Sequence, residues 1–172
     1  MLLRIDHVGI ACRSLEEAIE RYSSVFGLAV VSRETNSEQG VREAMLYFPG
    51  GATPLDPPAH GGLPAPHDPP APAQGGLPGP QGGPSYVQLL EPLGDDTPVG
   101  RFLARRGEGI HHVGYAVADV VSALEAIGGR GVRLIDRRPR HGSMGASIAF
   151  LHPADLGGVL TELVQPRGVH ET

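Results

Sequence analysis

Residues 4–11 read RIDHVGIA and residues 109–117 read GIHHVGYAV, so a His-Val-Gly phrase returns 105 positions after its first use, at His7 and again at His112. Self-similarity on this scale constrains the architecture before any local propensity does. The residues after each phrase match as well. Ser14 and Asp119 lie seven positions past their histidines and are N-cap residues, and Ser14 with Glu17 has the spacing of a capping box. Leu15, Ala18, Ile19, Tyr22 and Phe26 share one helical face, as do Val120, Ala123, Leu124 and Ile127. A glycine, Gly27 or Gly128, closes each predicted helix.

The strands continue the repeat. AMLYF at 44–48 aligns with SIAFL at 147–151 at an offset of 103, and QLLEP at 88–92 aligns with ELVQP at 162–166 at an offset of only 74. The first copy therefore carries an insertion before its last strand. Residues 49–84 supply it: 21 of these 36 residues are Pro or Gly, too many to sustain helix or sheet hydrogen bonding, and GGLP occurs twice within them. This segment reads as a mobile, solvated insertion in one hairpin, and its His60 and His67 are poor ligand candidates for that reason. The predicted class is α+β. A first βαβββ module covers 1–92, a connecting helix opened by Thr97-Pro98 and closed by Gly107 lies within 93–108, and a second βαβββ module covers 109–172.

Used as a ruler, the repeat picks out four positions. The first strands offer His7 and His112, and the last strands offer Gln88 and Glu162 at corresponding places. Alternation puts Gly9 on the face of His7 and Gly114 on the face of His112, leaving clearance beside each imidazole. Two imidazoles, an amide oxygen and one carboxylate make a mixed N/O site suited to a divalent ion such as Co²⁺, Mn²⁺, Ni²⁺ or Zn²⁺. His111, out of phase with His112, is expected to point away.

The totals narrow the function classes. Cys12 is the sole cysteine, which excludes an internal disulfide and any paired-cysteine zinc motif. A net charge of −5 argues against a nucleic-acid partner. No apolar run approaches membrane-span length, and MLLRIDHVGIACRS lacks the design of a signal peptide, so no membrane association and a cytoplasmic location are expected.

Taken together, IDHVGIA, EQGVREAML, YVQLLEPL, GIHHVGYAV and HPADLGGVLTELVQP resemble the methylmalonyl-CoA epimerases of the vicinal oxygen chelate superfamily, over nearly the whole chain outside 49–84. The resemblance implies a curved, partly open mixed sheet around a metal held by His7, Gln88, His112 and Glu162. The implied activity is interconversion of the 2R and 2S epimers of methylmalonyl-CoA, by loss and return of the C2 proton through a metal-stabilised enolate. It picks out Glu43, and because inversion is simplest with a base on each side of the acyl plane, Glu43 and Glu162 are the two expected catalytic carboxylates. Strand matching sets Glu43 opposite Ala146, so Glu43 breaks the pseudo-symmetry. As ligand and base together, Glu162 either loosens from the metal during turnover or is helped by another group. RRPRHGSMG at 137–145 offers Arg137, Arg138, Arg140, Ser143 and Gly145 as contacts for the acyl-CoA substrate and its phosphates. The relatives' habit of pairing implies a homodimer. The alternatives are a glyoxalase-type isomerase or lyase on the same four ligands, and a non-catalytic small-molecule-binding protein.

Overall fold

The computed structural model describes residues 1–49 and 84–167. The insertion expected at 49–84, with His60 and His67, thus falls almost wholly outside the described residues. In chain order the elements are β1 (Leu2–Ala11), α1 (Leu15–Phe26), β2 (Ala29–Asn36), β3 (Val41–Tyr47), β4 (Tyr86–Pro92), α2 (Pro98–Arg106), β5 (Gly109–Val117), α3 (Val120–Gly128), β6 (Arg140–His141), β7 (Ser147–Leu151) and β8 (Thr161–Gln165). One 3₁₀ turn, Ser143–Gly145, precedes β7 and another, Pro153–Asp155, comes after it. Among the described residues no helix is long and apolar enough to cross a membrane.

The helices begin where the sequence caps them. Ser14 Oγ accepts from the Glu17 N–H, Thr97 Oγ1 from the Gly100 N–H and Asp119 Oδ1 from the Ser122 N–H. Gly27 ends α1 in the left-handed region at φ 68°, which costs glycine nothing. The third helix, α3, closes differently: Gly128 is its last residue, and the cap, Gly129, stays right-handed.

All eight strands form a single curled mixed sheet in the order β2-β3-β4-β1-β5-β8-β7-β6. The two copies join where β1 runs antiparallel to β5, with Val8 opposite Val113 at the centre of a pseudo-twofold arrangement. Each copy then places its last strand parallel to its first, β4 beside β1 and β8 beside β5. The first and third helices, α1 and α3, cover one face. Leu15, Ala18 and Ile19 of α1 pack on Ala44, Leu46 and Leu89, while Val120, Ala123, Leu124 and Ile127 of α3 pack on Ala149, Leu151 and Leu163. Such burial is worth about 1.5–3 kcal/mol for each large aliphatic side chain and fixes which residues turn to the opposite face. There, α2 seats Val99 and Leu103 on Ala11, Val41 and Leu90, closing one end.

The ladders correct one alignment. Gln88 pairs with Met45 and Glu162 with Phe150, so β3 and β7 correspond at an offset of 105, the same as the histidines. Glu43, opposite Leu90, therefore corresponds to Ile148, opposite Val164, and not to Ala146. A slip of two residues preserves which side chains share a face, so apolar patterning could not distinguish the registers.

Candidate metal centre and active site

The face opposite α1 and α3 gathers the four positions the repeat selected. Across the β1–β5 seam His7 stands opposite Gly114 and His112 opposite Gly9. Each imidazole lies over the other copy's glycine: a Cβ at Gly9 would come within 2.2 Å of His112 Cε1, and one at Gly114 within 2.5 Å of His7 Cε1. The clearance expected beside each histidine thus comes from across the seam and not from its own strand. His7 Nε2 and His112 Nε2 are 3.0 Å apart, and Glu162 Oε2 lies 2.8 Å from the first and 3.3 Å from the second. All three side chains are buried. Gln88, opposite Gly9 on the other flank of β1, is buried as well.

The outer partners decide which atoms face inward. His7 Nδ1 is 3.1 Å from Asp6 Oδ1, and a carboxylate only accepts, so the Nδ1–H donates and the Nε2 lone pair points into the centre. Asp6 in turn is paired with Arg4 at 2.9 Å. The Gln88 amide spends its two donors on Glu43 Oε2 and Ser143 Oγ, both at 2.8 Å. That leaves Gln88 Oε1 a buried acceptor with no hydrogen-bond partner, and Glu162 Oε2 another. Acceptors orphaned in the interior are costly unless something positive meets them. Two imidazole nitrogens, an amide oxygen and a carboxylate oxygen fit a divalent cation by donor type, and His7, His112 and Glu162 are close enough to share one.

Electrostatics separates the two glutamates. Burial works to raise the Glu162 carboxyl, but the His7 and His112 imidazoles outweigh it and hold the group well below the usual carboxylate range. Burial dominates at Glu43, with the Glu34 and Glu162 charges adding to it and the Ser143 and Gln88 hydrogen bonds opposing, and its pKa rises to about 7. Glu43 is 1% exposed, on β3, with Oε1 unpartnered. One carboxyl is fixed as an anion and the other is poised to exchange a proton.

A cleft of about 480 Å³ opens onto this centre, and its lining includes the buried His7 and Glu162, the apolar Met45 and Met144, and Tyr86 and Arg167. Ser143 lines it too, and Gly145, at φ 72°, lies beside the Arg167 side chain. Met144 adopts φ 56°, the one non-glycine residue with positive φ among the described residues, and its N–H donates to Glu34 Oε1 of β2. Glu34 thus ties the turn after β6 to the other half of the molecule. The arginines divide otherwise than expected. Arg137 and Arg138 line a separate cavity of about 300 Å³ on the helix side, against Leu124 of α3, and are not brought to the cleft. The reason is local: Leu134 bridges to Leu151, and Asp136 Oδ2 accepts from the Phe150 N–H, anchoring this segment along the sheet edge. Arg140 lies 3.1 Å from Asp136 and over the Phe150 ring.

His111 does not point away. In β5 it is passed over between the pairs Gly9–His112 and Ile10–Ile110, and a bulge at that step turns its ring back so that His111 Nδ1 lies 3.0 Å from His112 Nδ1. Asp6 occupies the same kind of step in β1, between Ile5–Tyr115 and His7–Gly114. Neither Asp6 nor His111 figures among the site residues read from the sequence. The available signal was a polar residue before the histidine in both copies, at positions that strict alternation assigns to the outer face.

Comparison with known proteins agrees with this geometry. Residues 4–163 match the Glyoxalase/Bleomycin resistance protein/Dioxygenase superfamily, and the chain belongs to it. Within that superfamily its likeness is to the methylmalonyl-CoA epimerases, which are isomerases. A solved methylmalonyl-CoA epimerase in complex with methylmalonyl-CoA and NH4+ is 41% identical, superposes with a TM-score of 0.79 and covers 100% of both chains. An ethylmalonyl-CoA/methylmalonyl-CoA epimerase of Cereibacter sphaeroides is 28% identical over 96% of this chain and 99% of its own. An uncharacterised protein of Bacillus subtilis is 34% identical over 96% of this chain and 94% of its own.

Proposed function

We propose that this chain epimerises 2-methylmalonyl-CoA at C2, with a divalent cation held by His7, Gln88, His112 and Glu162. The observation that carries the reading is the meeting of two imidazole Nε2 atoms and a carboxylate oxygen beside a cleft, with Gln88 Oε1 a buried acceptor without a partner and a second buried carboxyl near neutrality. When bound, the cation, with Co²⁺ favoured, acts as a Lewis acid that makes the C2–H bond of a thioester more acidic.

The remaining steps belong to protein groups. A carboxylate on one side of the acyl plane takes the C2 proton, the electron pair delocalises into the thioester carbonyl, and a group on the other side returns a proton. Glu43, with a pKa of about 7, suits proton exchange near neutral pH. Glu162, from the other copy, is the second candidate, either loosening to serve or leaving the transfer to a neighbour. Glu43 and Ser143 take both N–H donors of Gln88, leaving its oxygen free to serve as the fourth ligand atom. Met45 and Met144 in the cleft lining suit the 2-methyl substituent, and the exposed Arg167 of that lining is better placed than Arg137 or Arg138 for a coenzyme A phosphate.

The test is to incubate metal-loaded protein with one epimer of methylmalonyl-CoA in D₂O. Deuterium at C2 together with appearance of the other epimer is expected. Failure of both, with the protein folded and metal bound, rejects the reading.

A further inference from the structure

The bulge in β5 gives His112 an outer partner unlike the one His7 has. Both centres share a plan, in which the residue before the histidine is displaced from the ladder and meets its Nδ1: Asp6 Oδ1 at 3.1 Å in one copy and His111 Nδ1 at 3.0 Å in the other. The chemistry differs. Asp6 is an anion that only accepts, whereas two imidazole nitrogens facing one another require one donor and one acceptor. His112 Nε2 is turned to His7 and Glu162, so coordination there leaves the proton on His112 Nδ1. His111 Nδ1 must then be the acceptor, and its own proton sits on Nε2. The His111 ring is held for this by Phe102 of α2, edge to face at a centroid separation of 5.0 Å.

We propose that His111 is a positioning residue that fixes the tautomer and ring orientation of His112 through Nδ1. It is the neutral counterpart of Asp6, so the two metal-facing imidazoles are deliberately unequal donors, His7 with an anionic outer partner and His112 with an uncharged one. This rests on the metal-binding reading above, and it concerns the ligand field, not the substrate.

Two measurements with Zn²⁺ as the probe test it. In the zinc-loaded wild-type protein, proton–nitrogen correlation spectra of the imidazoles are expected to show His112 protonated at Nδ1, and His111 protonated at Nε2 with a bare Nδ1. A proton on His111 Nδ1 overturns the proposal, and this result needs no variant to fold. By competition with a chelator, His111→Leu should weaken zinc binding by about 10–100-fold, the usual cost of losing an outer partner. His111→Asn, whose Oδ1 accepts from near the same place, should recover much of that loss. Equal affinity in wild type and His111→Leu, or no recovery in a folded His111→Asn, refutes the role of His111 while leaving the metal site standing. No zinc binding by the wild type overturns both readings.

Discussion

The two halves of the sheet begin as copies and end as complements. In the first, β2 runs for eight residues beside β3; in the second, its counterpart β6 is two residues long, joined to β7 through the turn Ser143–Gly145, and residues 134–136 lie along the rest of β7. The first half contributes an amide at Gln88 and the second a carboxylate at Glu162. The first contributes Glu43 where the second has Ile148, and Asp6 where the second has His111. What stayed alike is the frame: two histidines, two facing glycines and two helices behind them. What diverged is the charge around that frame: duplication preserved the paired imidazoles, while asymmetry set an anionic carboxylate in one half and a carboxyl near neutrality in the other.

Mutations can break this comparison at graded depths. His7→Ala and His112→Ala should each lose bound metal, measured by elemental analysis, and reduce turnover to background; retention of metal by either variant would refute the proposed need for both imidazoles. Glu43→Gln tests the asymmetric part. It keeps an acceptor near Gln88, so metal content should be retained while kcat falls by about 10²–10⁴-fold, the scale of a lost acid–base group. Metal lost in step with activity would make Glu43 a support for Gln88 alone.

Gly9→Ala and Gly114→Ala probe the seam. Each new methyl would meet an imidazole, at 2.2 and 2.5 Å respectively, so both variants should be destabilised by about 1–3 kcal/mol in denaturant melts, with Gly9→Ala the worse. Equal stability to wild type would mean that the rings swing aside freely. The smallest effect is expected at Cys12, which corresponds to Val117 in the other half. Burial, with the Glu91 and Glu108 charges, raises its thiol to about 11. A raised pKa keeps the thiol protonated, so alkylation of the folded protein should be negligible at pH 8 and climb only toward pH 11. Cys12→Val, importing the other half's residue, should change stability by under about 1.5 kcal/mol.

The parts of the fold that were legible are those written in local chemistry. Ser14, Thr97 and Asp119 announce helix starts because an N-cap is a one-residue device, and the four candidate ligand positions stand out because the repeat marks them twice. The β3–β7 register was ambiguous because alternation repeats every two residues, so offsets of 103 and 105 look alike until the hydrogen-bond ladder chooses. The placement of Asp6 and His111 was hidden for the converse reason: a bulge suspends alternation, and nothing in DHV or HHV announces one. The arginines at 137 and 138 misled because positive charge and flexible neighbours describe a great many loops. Only the tether of Asp136 and Leu134 to the β7 edge decides where this one lies.

The antiparallel meeting of β1 and β5 about Val8 and Val113 means that neither half contains a finished pocket floor; each lends a glycine for the other's ring to lie on. Joined in one polypeptide, the halves meet at a fixed effective concentration instead of by chance encounter. Every position then exists as two separately editable letters, and an asymmetric reaction can be built from a symmetric beginning.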